Sequence, residues 1–70
     1  MSRVMRNGIF KYMFERGFLY KGKTLTERTV RTMLDTGFFQ TMVYDEVSGK
    51  RTVLMSEVER KVRDQKNERV

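Results

Sequence analysis

The sequence predicts a small single α+β domain, and three observations carry that expectation. An apolar-periodic segment from Leu25 to Leu34 stops at Gly37. Two runs rich in β-branched and aromatic residues flank the turn-like stretch DEVSGK. A largely polar segment with Val58 and Val62 four residues apart closes the chain. Seventy residues allow one modest core, and the absence of Cys and His removes disulfides and the usual zinc sites as staples. Packing, self-association or a bound partner must therefore hold the fold. The expected order is helix, short extended segment, helix, β-hairpin over 38–55 and C-terminal helix. Residues 1–64 make the domain, and 65–70 a frayed polar tail.

The first segment, Arg3 to Arg16, reads two ways. As a helix it gathers Met5, Ile9, Tyr12 and Met13 on one face, with Phe10 and Phe14 as a second stripe. As a strand it alternates Phe10, Tyr12 and Phe14 with Ile9, Lys11 and Met13, and residues 9–20 would form a hairpin. The i, i+4 stripe and the unbroken run from 9 to 16 favour the helix. "GFLYKGK" (17–23) is glycine-bounded and too short in apolar residues for a helix, so it reads as an extended connector.

Thr24 and Glu27 have capping-box spacing and predict the start of the next helix. Leu25, Val30, Met33 and Leu34 form its apolar side, and Gly37 is expected at positive φ as its stop. In the hairpin, Phe39, Thr41 and Val43 should share one face and Gln40, Met42 and Tyr44 the other. Asp45 should bond turn amides, and Gly49 should take positive φ. Ser56 and Glu59 form a second capping box. Val58 and Val62 give the last helix a narrow apolar stripe, and Glu57–Lys61 and Glu59–Arg63 are i, i+4 pairs.

Charge placement is the main functional signal. Residues 1–34 hold eight Lys or Arg against two acids, an excess of six, whereas residues 35–70 hold seven of each. A localised cationic excess is the electrostatic footprint of a phosphate-binding protein, although cationic surfaces also keep small domains in solution. Catalysis is not expected. Cys and His are absent, the serines sit at a terminus, a turn and a cap, and "GKT" at 22–24 lacks the upstream glycine of a phosphate loop. No cofactor or metal is implied.

The stretch Thr24–Met55, a helix ended by Gly37 and followed by a hairpin with Lys50 and Arg51 just past its tip, resembles the second half of a winged helix-turn-helix domain. That family normally has two helices before its recognition helix, whereas one is predicted here. The resemblance implies a DNA-binding, regulatory role. Arg28 and Arg31 would meet guanine edges or phosphates, Thr32 a base edge or phosphate, and Lys21, Lys23, Lys50 and Arg51 the backbone. Ordinary solvated arginines are the competing reading for Arg28 and Arg31, and Asp35 on the same face opposes DNA contact.

Six methionines, five Phe and three Tyr exceed what one such core can bury. The surplus predicts a homodimer or docking on a larger machine such as a polymerase or nuclease. Phe10, Phe14, Phe18 and Tyr20, interleaved with Lys11, Arg16, Lys21 and Lys23, could instead stack on single-stranded bases. No run reaches membrane-span length, an interfacial helix at 3–16 lacks a clean polar face, and the charged residues near the start break any signal-peptide core. The expected setting is the cytoplasm.

Overall fold

The computed structural model describes residues 2–68, and its organising event is a pairing that closes the chain on itself. β1 (Arg3–Met5) lies antiparallel beside β5 (Lys50–Leu54), with Val4 opposite Val53. Between them in sequence come α1 (Arg6–Glu15), β2 (Leu19–Tyr20), β3 (Lys23–Thr24), α2 (Glu27–Asp35) and β4 (Val43–Asp45). α3 (Met55–Glu68) follows β5 directly. The main sheet has order β1-β5-β4, all antiparallel, and β2–β3 form a separate two-stranded sheet. The protein is thus a single α+β unit with three helices among the described residues.

The first helix was expected from Arg3, but residues 3–5 are strand. Their side chains explain it. Val4 packs against the core, and the Arg3 guanidinium reaches over the sheet to the Thr52 hydroxyl (Nε–Oγ1 2.9 Å) and to the carbonyls of Thr41 and Thr52. Met5, at φ −92° and ψ 174°, is the extended residue before α1, so it leaves the apolar stripe that Ile9 and Met13 keep. Gly8 permits the tight exit from β1 into α1: a Cβ there would lie 2.3 Å from Val4 Cγ2. α1 ends as the helical reading requires, with the Phe18 amide donating to the Met13 carbonyl (3.0 Å) and that of Gly17 to Phe14 (3.1 Å).

The connector proves to be a hairpin. Lys21 (φ 53°) and Gly22 (φ 77°) are both left-handed and turn β2 back onto β3. Thr24 is consumed in that pairing with Leu19, so it does not cap α2. Thr26 does, accepting the Thr29 amide (3.1 Å). Burial of Leu25 chooses between the two threonines, because the chain must sink Leu25 into the core before the helix begins. Val30, Met33 and Leu34 then bury the inner face, and Gly37 stops α2 at φ 77° with the Phe38 amide on the Met33 carbonyl (3.0 Å).

The hairpin is shorter than 38–55. Residues 38–42 are irregular, and the expected alternation from Phe39 to Tyr44 is not formed there. The cause is Glu57. Its side chain is 3% exposed, and its carboxylate accepts from the amides of Gln40 (2.8 Å) and Thr41 (2.9 Å) and from the Thr41 hydroxyl (2.6 Å). Thr41 Oγ1 in turn accepts from the Leu54 amide (2.9 Å). The turn itself follows the local chemistry: Asp45 accepts from the Val47 amide (2.9 Å), and Gly49 has φ 71°. α3 starts at Met55, one residue before the expected Ser56 cap, because β5 runs into it without a break. It also continues through Glu68, where fraying from Gln65 was expected. Gln65 holds Leu19 with two bonds, accepting from its amide (2.8 Å) and donating to its carbonyl (2.7 Å). Residues 69 and 70 lie outside the described residues.

Ile9, Met13, Val30, Met33, Val53 and Val58 form the fully buried centre, where α1 meets both α2 and α3. No helix among the described residues is long and apolar enough to cross a membrane.

The Glu57 node makes stability pH-dependent. Burial pushes its carboxyl up, but the Thr41 hydroxyl, the Gln40 and Thr41 amides and the Lys61 charge together outweigh burial, and it lies below the ordinary 4.5. A depressed folded-state pKa contributes stability fully above the unfolded value and loses it as pH falls through the folded one. Glu57→Gln should therefore cost about 1–3 kcal/mol near pH 7, because a donating amide would face a donor already there. The deficit relative to wild type should shrink in urea unfolding near pH 3; a deficit independent of pH would refute the charge-based account.

Candidate nucleic-acid interface

α2 carries Arg28, Arg31, Thr32 and Asp35 on its exposed side, opposite buried Val30, Met33 and Leu34, as its periodicity predicts. Arg28 and Arg31 form no ion pair among the described residues. Thr32 donates its hydroxyl proton to the Arg28 carbonyl (3.2 Å), so toward a ligand it offers lone pairs only. Lys23 is exposed in β3, just before the helix. At the other end of α2, about 13 Å along its nine residues, Asp35 meets Arg51 of β5 in a hydrogen-bonded ion pair.

That pair revises the role given to Arg51. Its side chain is 24% exposed against 54% for Asp35, and it ties the β4–β5 hairpin to α2. The two cations just past the hairpin tip thus part company, with Arg51 neutralised and Lys50 exposed and without an ion pair among the described residues. The hairpin tip is not uniformly basic either. The Val47 amide, followed by that of Ser48, holds the Asp45 carboxyl below its ordinary value, so it stays charged beside Glu46. Val47 projects almost entirely into solvent, at 98% exposure.

Lys21 stands apart from this line. Its ammonium lies 5.5 Å from the centre of the Tyr20 ring. It borders an open cleft of about 440 Å³ that also carries Phe38, Lys61, Asp64 and Glu68. The mixed charge there makes a poor seat for a polyanion, and Lys61 already covers the Phe38 ring (4.5 Å).

The sequence reading missed Arg6 and Asn7. Both line an open cleft of about 320 Å³ with Met5, Leu34, Gly49, Lys50 and Arg51. Arg6 lies 44 residues from Lys50 in sequence, and only the β1–β5 pairing brings them together; no local spacing could have signalled it. Among the aromatics, Phe10 and Phe14 pack on each other at 5.3 Å, with Phe14 half exposed, and Arg16 stacks on Tyr12 at 3.5 Å. Phe18 is buried and unavailable to a base.

No family model, no curated protein and no solved structure matches the chain.

The Asp35–Arg51 tie is partly solvated, so its effect on stability should be small. Asp35→Asn is expected to cost at most about 1 kcal/mol in urea unfolding. A loss above about 2 kcal/mol would make the pair a structural keystone instead of a surface positioning contact.

Proposed function

We propose that this protein is a small, non-catalytic nucleic-acid-binding protein acting on duplex DNA in a regulatory role. The observation that carries the proposal is the line of cations along α2. Lys23 stands before the helix, Arg28 and Arg31 lie on its exposed face, and Lys50 sits beyond its far end. The excess positive charge of residues 1–34 is not offset by ion pairing, because both ion pairs among the described residues lie outside that stretch. Such a surface neutralises phosphates, releases their counterions and gives binding that falls steeply with salt. Arg28 and Arg31 supply flat, multidentate donors suited to phosphate or guanine, and Thr32 supplies acceptors. The step from α2 into a hairpin supports the winged-helix likeness, while the β2–β3 hairpin stands where that family has a second helix. The expected setting remains the cytoplasm.

Binding to random duplex DNA, followed by fluorescence anisotropy across a salt series, tests the reading. Replacing Lys21 and Lys23 together by Ala should weaken binding evenly across sequences and lower the salt slope by about 0.9 for each phosphate no longer neutralised. Since Lys21 borders the mixed-charge cleft, most of the change should come from Lys23. An unaltered double mutant would remove this end of α2 from the interface.

A second reading has its own observation. Met5, Phe14, Val43 and Tyr44 are each about half exposed or more. This apolar surface supports docking on a second copy or on a larger acidic protein such as a polymerase or nuclease. A homodimer would set two basic faces on one nucleic acid. Sedimentation equilibrium near 100 μM, about −5.5 kcal/mol of association free energy, should return the dimer mass. A monomer there would leave docking on a different protein as the use of the apolar surface.

A further inference from the structure

We propose that the cleft between the start of α1 and the turn end of the β4–β5 hairpin seats a backbone phosphate, held by Arg6 and Lys50. Taking the phosphate to belong to a nucleic acid rests on the function proposed above; the cleft's preference for a phosphate group does not.

The cleft draws three cationic residues, Arg6, Lys50 and Arg51, from two segments far apart in sequence, and among the described residues no carboxylate lines it. Asp35, the acid beside this wall, is bound to Arg51. Arg6 and Lys50 form no ion pair among the described residues, and Asp45, the cross-strand partner of Lys50, is outside the lining with its carboxylate held by the Val47 amide, so two like charges border one opening. That arrangement costs free energy in the empty protein and is relieved by an anion. Leu34, 2% exposed, and Met5 make part of the lining apolar. Asn7 adds a neutral donor, and Gly49 keeps the lip free of a side chain. Its volume, about 320 Å³ and open to solvent, admits a phosphodiester with its chain running out on both sides. A guanidinium from one wall and an ammonium from the other grip a tetrahedral oxyanion from different directions. The site also extends the cationic line of α2, because Leu34 of the cleft wall lies one turn beyond Arg31 on the same helix.

The test compares wild type, Arg6→Ala/Lys50→Ala and, as a control for removal of charge, Lys66→Ala on α3. Each is titrated with a random 20-base-pair duplex over a salt series, after urea unfolding has verified that it folds. The cleft variant should lower the salt slope by about 1.8, two neutralised phosphates at about 0.9 each, and Lys66→Ala should not. Arg6→Lys/Lys50→Arg should restore the slope. In parallel, pyrophosphate is titrated into the wild type and amide shifts are followed by NMR. Shifts centred on Asn7, Gly8, Gly49 and Lys50 are expected. If wild type binds no duplex but pyrophosphate moves these amides, the phosphate seat stands and the nucleic-acid reading falls. If wild type binds duplex while the cleft variant keeps its slope, the seat is overturned and the nucleic-acid reading stands. If neither ligand binds, both are overturned.

Discussion

One buried carboxylate governs the geometry of this protein. Glu57 leaves water almost completely, and an unpaired carboxylate could not do so. Three donors from Gln40 and Thr41 and the Lys61 ammonium at 3.8 Å compensate it. The consequence reaches beyond one residue. Thr41 is both donor to Glu57 and acceptor from Leu54, so the segment after α2 is fixed to the end of β5 and the start of α3 at one point. Backbone amides at 40 and 41 that would otherwise pair in a longer strand are withdrawn from the ladder, and the hairpin begins only at Val43. That node sets where the hairpin emerges after α2, and the Asp35–Arg51 pair then ties it to the helix.

The position of the hairpin in turn decides which charges meet. Once Val43–Asp45 pairs with β5, Arg51 finds Asp35, while Lys50, one residue along, enters no ion pair among the described residues. A strand's period of two thus assigns adjacent cations different work. The other wall of the cleft depends on Gly8. Only a residue without a Cβ lets α1 begin so close to Val4, and that closeness carries Arg6 from the edge of the sheet toward the turn end of the hairpin.

What the sequence made legible was the chemistry contained within a few residues. Gly37 and Gly49 at positive φ, the Asp45 turn, the inner face of α2 and the Val58/Val62 stripe all follow from local rules. What it hid was settled by distant partners. Arg3–Met5 looks like the first turn of a helix until β5 exists to pair with it. Phe39 to Tyr44 alternates like a strand, and the carboxylate that overrules it lies on another element. Thr24 has the capping-box spacing to Glu27, yet burial of Leu25 moves the cap to Thr26. Gln65 sits in a polar stretch with every mark of fraying, yet its amide is the complement of the backbone amide and carbonyl of Leu19. Of the candidate site, the α2 face was legible as a helical stripe. The Arg51 pairing and the Arg6 wall were not, since each joins residues from separate elements.

The distribution of ion pairs gives the composition its meaning. Both pairs among the described residues use acids of the second half, Asp35 and Glu57, and cations of that same half, Arg51 and Lys61. Its balance of seven against seven is partly an internal accounting, with charges placed to hold α2, the hairpin and α3 in register. The eight cations of the first half enter no such pair among the described residues. Arg3 is bound to neutral oxygens and Arg16 lies over a ring; neither contact cancels charge. Two such charges about 10 Å apart repel by about 0.4 kcal/mol in water, and the repulsion accumulates along Lys23, Arg28 and Arg31. A domain with so small a core retains that cost on one surface while compensating its acids elsewhere. The asymmetry is therefore a property of the folded surface as well as of the sequence.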